Sequence, residues 1–322
     1  MIRVRAVFLE PIWGIVFFFL PWILMSPILF THVFNNSVKI SLLGYEGFFN
    51  HYVFYICSSL FLSLTGFISS RLINELNLFS KENYLIALVI AVLGAVLLCF
   101  SNFSNVCISC FTYFIGLFWL CKSPKEGKLD RQIFNAGFFF FLGVIVDLRF
   151  IIIAPLNVVL LLLLRSISFR TILVFLSSFL VIVLVIQQVY FLFFESFLSL
   201  ESIFSAHLNE ENHLELGQSQ VLIAFIVLQT LLLLGSFPRL LSLVSNRVKS
   251  TLRMFLYSTA LMALLFFLDF LSQGFFEHSI YTLPFLAILV TINLMFTRSK
   301  VLLIIHFISI LFFLLVFFFK LI

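Results

Sequence analysis

The chain has 322 residues, of which 63% are hydrophobic and 10% are charged, and its mean hydropathy is +1.21. Soluble domains carry about 25% charged residues, so this composition excludes an ordinary water-soluble globular fold. The net charge of +5 comes from loops between apolar runs and gives no support to nucleic-acid binding. The composition predicts an integral membrane protein.

Apolar windows separated by short polar breaks predict an all-α, polytopic transmembrane bundle of about eleven helices, since about 20 apolar residues cross the hydrocarbon core. In chain order the windows are 11–31, 51–71, 84–100, 103–121, 134–148, 150–165, 170–193, 220–237, 253–272, 280–297 and 301–320. We expect a single membrane domain over residues 1–322. Within it, a seven-helix module at 1–219 followed by a four-helix extension at 220–322 is an alternative division.

The positions of the basic residues predict the orientation of the chain. Arg3 and Arg5 precede the first window, which lacks a small-residue cleavage site and is therefore expected to be a spanning helix rather than a signal peptide. With the N-terminus inside, all but three of the 19 Lys and Arg residues face the cytoplasm; the exceptions are Lys39, Arg149 and Lys320. This pattern predicts a bacterial inner-membrane protein with its N-terminus in the cytoplasm and its C-terminus outside.

The first outer loop, residues 32–50, contains one carboxylate in a distinctive setting. Glu46 lies between Gly44 and Gly47, with aromatic residues on both sides and His51 just beyond the loop. A carboxylate at the membrane surface would serve as a general base for an acceptor hydroxyl or amine. The alternative interpretation is an interfacial aromatic anchor that carries one solvated charge.

Asp147 and Arg149 fall at the outward tip between the windows 134–148 and 150–165. Charges at the edge of the apolar zone are costly unless they are paired or solvated, so these two side chains would pair with each other. The functional alternative is that Arg149 holds a lipid phosphate through a bidentate contact.

The outer loop after the seventh window, residues 195–220, combines two features. Its first part has apolar residues at helical spacing, which fits a short amphipathic helix in the interface. Its second part gathers carboxylates and an imidazole that would suit a divalent cation, namely Glu210, Glu211, Glu215 and His213. Because their spacing matches no defined motif, an acidic solvated loop is the alternative, and no other cofactor is expected.

Polar residues within the windows are sparse. The main ones are Gln187, Gln188, Gln229, Asn293 and His306. A transporter needs polar groups along its pathway, so this sparseness argues against ion coupling but not against the handling of a lipid.

Several short segments resemble an uncharacterised membrane-protein family of Bacteroidota. They are Ile133–Phe138 with Leu142–Gly143, Arg165–Arg170, Asn83–Leu85 and Thr282–Pro284. The layout of the chain is similar to the membrane module of GT-C glycosyltransferases. The shared features are a first helix that starts in the cytoplasm, an acidic residue in the first outer loop, short middle helices, and a large outer loop after the seventh helix.

This resemblance implies a glycosyltransferase that uses a polyprenyl-phosphate-linked sugar at the outer face of the membrane. Glu46 would be its catalytic base and Arg149 would meet the donor phosphate, with Asp147, His51 and His213 as further substrate-binding residues. The alternative is a non-enzymatic protein: a lipid transporter or flippase, or a scaffold of an envelope assembly complex. In either case membrane lipid is the expected partner.

Overall fold

The computed structural model describes residues 15–16, 19–20, 23, 38–42, 45–49, 51–75, 84–98, 104–121, 129–146, 169–194, 224–225, 227–229, 231–232, 249, 252–253, 283–296 and 304–312. The elements with defined ends are β1 Val38–Leu42, β2 Tyr45–Phe49, α1 His51–Glu75, α2 Leu85–Leu98, α3 Ser104–Cys121, α4 Leu129–Val146, α5 Phe169–Phe194 and α6 Leu283–Phe296. The described part of the chain is therefore helical, as predicted, apart from one β-hairpin, which the sequence did not predict.

The helix boundaries follow the apolar windows closely. Residues 224–225, 227–229, 231–232 and 304–312 are also helical and fall in two further windows. The clearest difference is α4, which begins at Leu129 rather than at the predicted residue 134. Asp130 explains the earlier start, because a carboxylate in the first turn interacts favourably with the positive end of the helix dipole.

Two described helices are long and apolar enough to cross a membrane: Leu129–Val146, and Phe169–Leu192 within α5. Buried core helices of soluble proteins can satisfy the same criterion of length and composition. For α5 that explanation is poor, because only 22% of its most apolar stretch is buried in the protein. Membrane association is the simpler explanation for such a helix.

The two faces of α5 reverse the pattern of a soluble protein. Thr171 and Ser178 are on the buried face, whereas Leu176, Leu180 and Leu184 are exposed, Leu180 by 60%. In water the hydroxyls would be outside and the leucines inside. In lipid, exposing a leucine carries no cost in free energy, and small polar residues are favoured where helices meet. The exposed face of α5 is therefore suited to contact with acyl chains.

The core forms around α3, which packs against α1 and α4; α4 in turn packs on α5, and α6 packs on α2. Helices α1 and α2 are antiparallel, because Gly94 lies against Leu62 while Gly66, later in α1, lies against Ala87, earlier in α2. Close approach through glycine is typical of helix packing in membranes.

Helices α3 and α4 are also antiparallel. The hydroxyl of Ser109, near the start of α3, donates a hydrogen bond of 2.9 Å to the backbone oxygen of Gly143, near the end of α4. Further along α3, Tyr113 packs on Phe140 with 5.1 Å between ring centroids. A Cβ on Gly116 would lie 2.6 Å from the Phe140 ring, so glycine is needed there for the two helices to approach this closely.

By contrast, α4 and α5 run parallel. Arg170 donates a hydrogen bond to Asp130 at the start of both helices, and further along Phe141 packs on Phe179 with 4.9 Å between ring centroids. Because both helices run in the same direction, the end of α4 and the start of α5 lie at opposite ends of the pair. Val146 and Phe169 are therefore separated by about the length of α4.

Candidate functional site

Glu46 lies in strand β2 of an antiparallel hairpin. The pairing runs from Val38 opposite Phe49 to Leu42 opposite Tyr45, and it places Glu46 opposite Ser41. The hairpin differs from the loop predicted for residues 32–50. The signal was present, because Val38, Ile40 and Leu42 alternate with polar residues and the two residues between the strands include a glycine, Gly44.

The hairpin directly precedes a long helix. Strand β2 ends at Phe49 and α1, with 25 residues, begins at His51. Glu46 and His51 are five positions apart in the chain, a span of at most about 18 Å even when fully extended. Glu46 and His51, both proposed as site residues, are thus held by regular backbone near one end of α1.

The other residues proposed from the sequence lie outside the described part of the chain. They are Asp147, Arg149, Glu210, Glu211, His213 and Glu215. Asp147 directly follows Val146, the last residue of α4. The roles expected for Asp147 and Arg149 and the cation site in the loop at 195–220 therefore stay predictions. Within the described residues, no group of three or more His, Cys, Asp or Glu side chains is placed to hold a metal ion.

The structure brings together a polar cluster that the sequence does not predict, consisting of Gln229, His306 and Ser309. Gln229 Nε2 donates to Ser309 Oγ over 3.1 Å, and Gln229 Oε1 lies 3.1 Å from His306 Nδ1. Ser309 Oγ donates to the backbone oxygen of His306 over 2.8 Å. Gln229 and His306 were recognised in the sequence as polar residues within apolar windows, but nothing indicated that they meet.

Two members of the cluster are fully buried, and Ser309 is partly buried. Gln229 and His306 are 0% and 1% exposed, whereas Phe307 and Ile308, next along the helix, are exposed on the outside. Burying an amide and an imidazole is costly unless each is hydrogen-bonded, and these two bond to each other. An ionisable side chain held in this way within an apolar helix is a candidate for function.

Among the described residues, most other buried hydroxyls donate a hydrogen bond to a backbone oxygen of their own helix. Ser63 and Thr65 on α1 donate to backbone oxygens one turn earlier, each over 2.7 Å. Thr291 on α6 does the same, also over 2.7 Å. This back-bonding satisfies a hydroxyl in an apolar environment without a partner from another helix. We therefore interpret these residues as structural, in contrast to the cluster of Gln229, His306 and Ser309.

No protein-family model, curated protein or solved structure matches the chain. The resemblance to a Bacteroidota membrane family and the likeness to GT-C glycosyltransferases therefore stay predictions from the sequence. Two features of the chain itself bear on function: the hairpin that contains Glu46 and the buried cluster that contains His306.

Proposed function

We propose that this chain is a polytopic protein of the bacterial inner membrane with about eleven spanning helices. The distribution of side chains on α5 supports this, with Leu176, Leu180 and Leu184 outside and Thr171 and Ser178 inside. The N-terminus would be cytoplasmic, in agreement with the basic residues of the loops.

The parallel arrangement of α4 and α5 supports a further crossing between them. Helix α4 has 18 residues, so it is about 27 Å long, close to the ~30 Å hydrocarbon core. Val146 and Phe169 lie about that distance apart, and the sequence between them contains the predicted window 150–165. This crossing would leave Asp130 and Arg170 on the cytoplasmic side and carry Asp147 and Arg149 to the outer face.

At the outer face we propose glycosyl transfer from a polyprenyl-phosphate-linked sugar, with Glu46 as the base. The observation that carries this proposal is the placement of Glu46 in a paired strand directly before α1. The carboxylate would accept the proton of the acceptor hydroxyl while the hydroxyl oxygen forms a bond to the anomeric carbon. The bond from that carbon to the phosphate oxygen would break, and the electron pair would leave with the lipid phosphate. Arg149 would stabilise that phosphate.

Glu46→Gln tests the proposal, because glutamine keeps the shape of the side chain but cannot accept the proton. With purified protein in lipid nanodiscs and a radiolabelled polyprenyl-phosphate hexose as donor, we expect transfer to fall by about 100-fold. Glu75→Gln is the matched control, since Glu75 is an exposed carboxylate at the other end of α1. If Glu46→Gln transferred sugar at the wild-type rate, Glu46 would not be the base. Absence of sugar transfer by the unmodified protein, across the common hexose donors, would reject the activity.

The cluster of Gln229, His306 and Ser309 favours a second candidate, a non-enzymatic lipid transporter or flippase. Such a protein needs polar groups inside the apolar zone to engage a lipid headgroup on its way through. The hydrogen bonds that join Gln229 to His306 and Ser309 are the observation in its favour. Under this candidate, substitutions at His306 would impair lipid movement, while Glu46→Gln would leave it unchanged.

A further inference from the structure

The hydrogen bonds around His306 restrict which of its ring nitrogens carries the proton. A serine hydroxyl has one hydrogen, and Ser309 uses it to bond the backbone oxygen of His306 over 2.8 Å. Toward Gln229, Ser309 can therefore only accept. The neighbouring atom, 3.1 Å away, must be the amide nitrogen, as it is in the structure.

The orientation of Gln229 then determines the state of the imidazole. With its amide nitrogen toward Ser309, Gln229 turns its carbonyl Oε1 to His306 Nδ1 over 3.1 Å. An amide oxygen accepts hydrogen bonds and cannot donate them, so Nδ1 has to be the donor. In neutral histidine the lone pair then lies on Nε2.

We infer that Gln229 and Ser309 hold His306 as the Nδ1–H tautomer, which leaves the lone pair of the imidazole on Nε2. Ile305 and Phe307, the two residues that flank His306, are exposed, whereas His306 itself is buried. The inference concerns a different part of the chain from Glu46 and does not depend on glycosyl transfer.

One competing arrangement would reverse the assignment. If the Ser309 hydroxyl turned to donate to Gln229, the amide would flip and its nitrogen would donate to Nδ1. His306 would then carry its proton on Nε2. That arrangement gives up the bond from Ser309 to the backbone oxygen of His306, which the structure contains. The two alternatives differ in a quantity that can be measured directly.

Nitrogen NMR on the full-length protein in lipid nanodiscs, labelled with ¹⁵N,¹³C-histidine at neutral pH, tests the tautomer. The chain has 6 histidines, and the His306 signals are those lost in His306→Asn. We expect the protonated nitrogen to correlate with Cγ, which identifies Nδ1. A protonated nitrogen that correlates with Cδ2 would identify Nε2–H and overturn the inference.

Three variants test whether the cluster causes the tautomer. Gln229→Met and Ser309→Ala are each expected to release the preference and give a mixture of the two tautomers. Ser177→Ala is the matched control, because Ser177 makes the same bond of 2.8 Å to the backbone oxygen three residues earlier, but on an exposed face. A wild-type spectrum from folded Gln229→Met or Ser309→Ala would show that the cluster does not set the tautomer.

Discussion

Leu180→Arg is expected to destabilise the folded protein in a bilayer by about 3 kcal/mol, the cost of placing arginine near the middle of a spanning helix. Leu180 is 60% exposed and lies near the midpoint of α5, which runs from Phe169 to Phe194. In water, the same change at an exposed position alters stability by less than about 0.5 kcal/mol. The predicted loss therefore depends on lipid around α5. Denaturant titration in bicelles, followed by helical circular dichroism, measures the loss.

Phe169→Arg is the matched control for this prediction. Phe169 is 76% exposed and is the first residue of α5, next to Arg170. A second arginine there reaches the polar interface without entering the apolar zone, so we expect a change of less than about 1 kcal/mol. Equal small losses from Leu180→Arg and Phe169→Arg would mean that the exposed face of α5 is in water, against our interpretation.

Gly137→Ala is expected to destabilise the protein by about 1–3 kcal/mol through overpacking between α4 and α5. A Cβ at residue 137 would overlap the hydroxyl of Ser178 and lie 3.1 Å from the backbone oxygen of Phe175. The hydroxyl would have to leave its hydrogen bond to that same oxygen. Without this contact, alanine would favour the helix over glycine by ~1 kcal/mol, so the sign of the effect reports the packing.

The compensating change Ser178→Gly tests the stated cause. It removes the hydroxyl that the new Cβ would meet, so Gly137→Ala combined with Ser178→Gly should lose less stability than the sum of the single losses. Gly66→Ala is a milder comparison, because its Cβ would lie 3.3 Å from Ala87. Strict additivity of Gly137→Ala and Ser178→Gly would indicate that Gly137 does not contact Ser178.

The sequence was a good guide to the helices because a membrane helix is defined by a local property, the length of its apolar run. The windows 51–71 and 170–193 correspond to α1 and α5 within a few residues. The start of α4 was misplaced because Lys128, Asp130 and Arg131 lower the local hydropathy although the helix includes the last two. Charged residues at a helix end continue the helix beyond the membrane core, where hydropathy no longer indicates it.

The contacts between helices could not be predicted in the same way. In lipid, every face of a helix is apolar, so hydrophobic periodicity does not indicate which face meets a neighbour. The pairing of Gln229 with His306 joins residues 77 positions apart and left no pattern in the sequence. Among the candidate site residues, the structure places Glu46 in a strand and His51 at the start of a helix. The roles proposed for Arg149 and His213 stay predictions.

The most direct test of the central claim, that α5 faces lipid, is nitroxide accessibility along that helix in nanodiscs. Spin labels at Leu176, Leu180 and Leu184 would report the exposed face, and a label at Ile182 the buried face. We expect the three exposed positions to be relaxed strongly by oxygen and weakly by a water-soluble nickel chelate, and Ile182 to be shielded from both. Strong relaxation by the nickel chelate at Leu180 would place α5 in water and contradict the account.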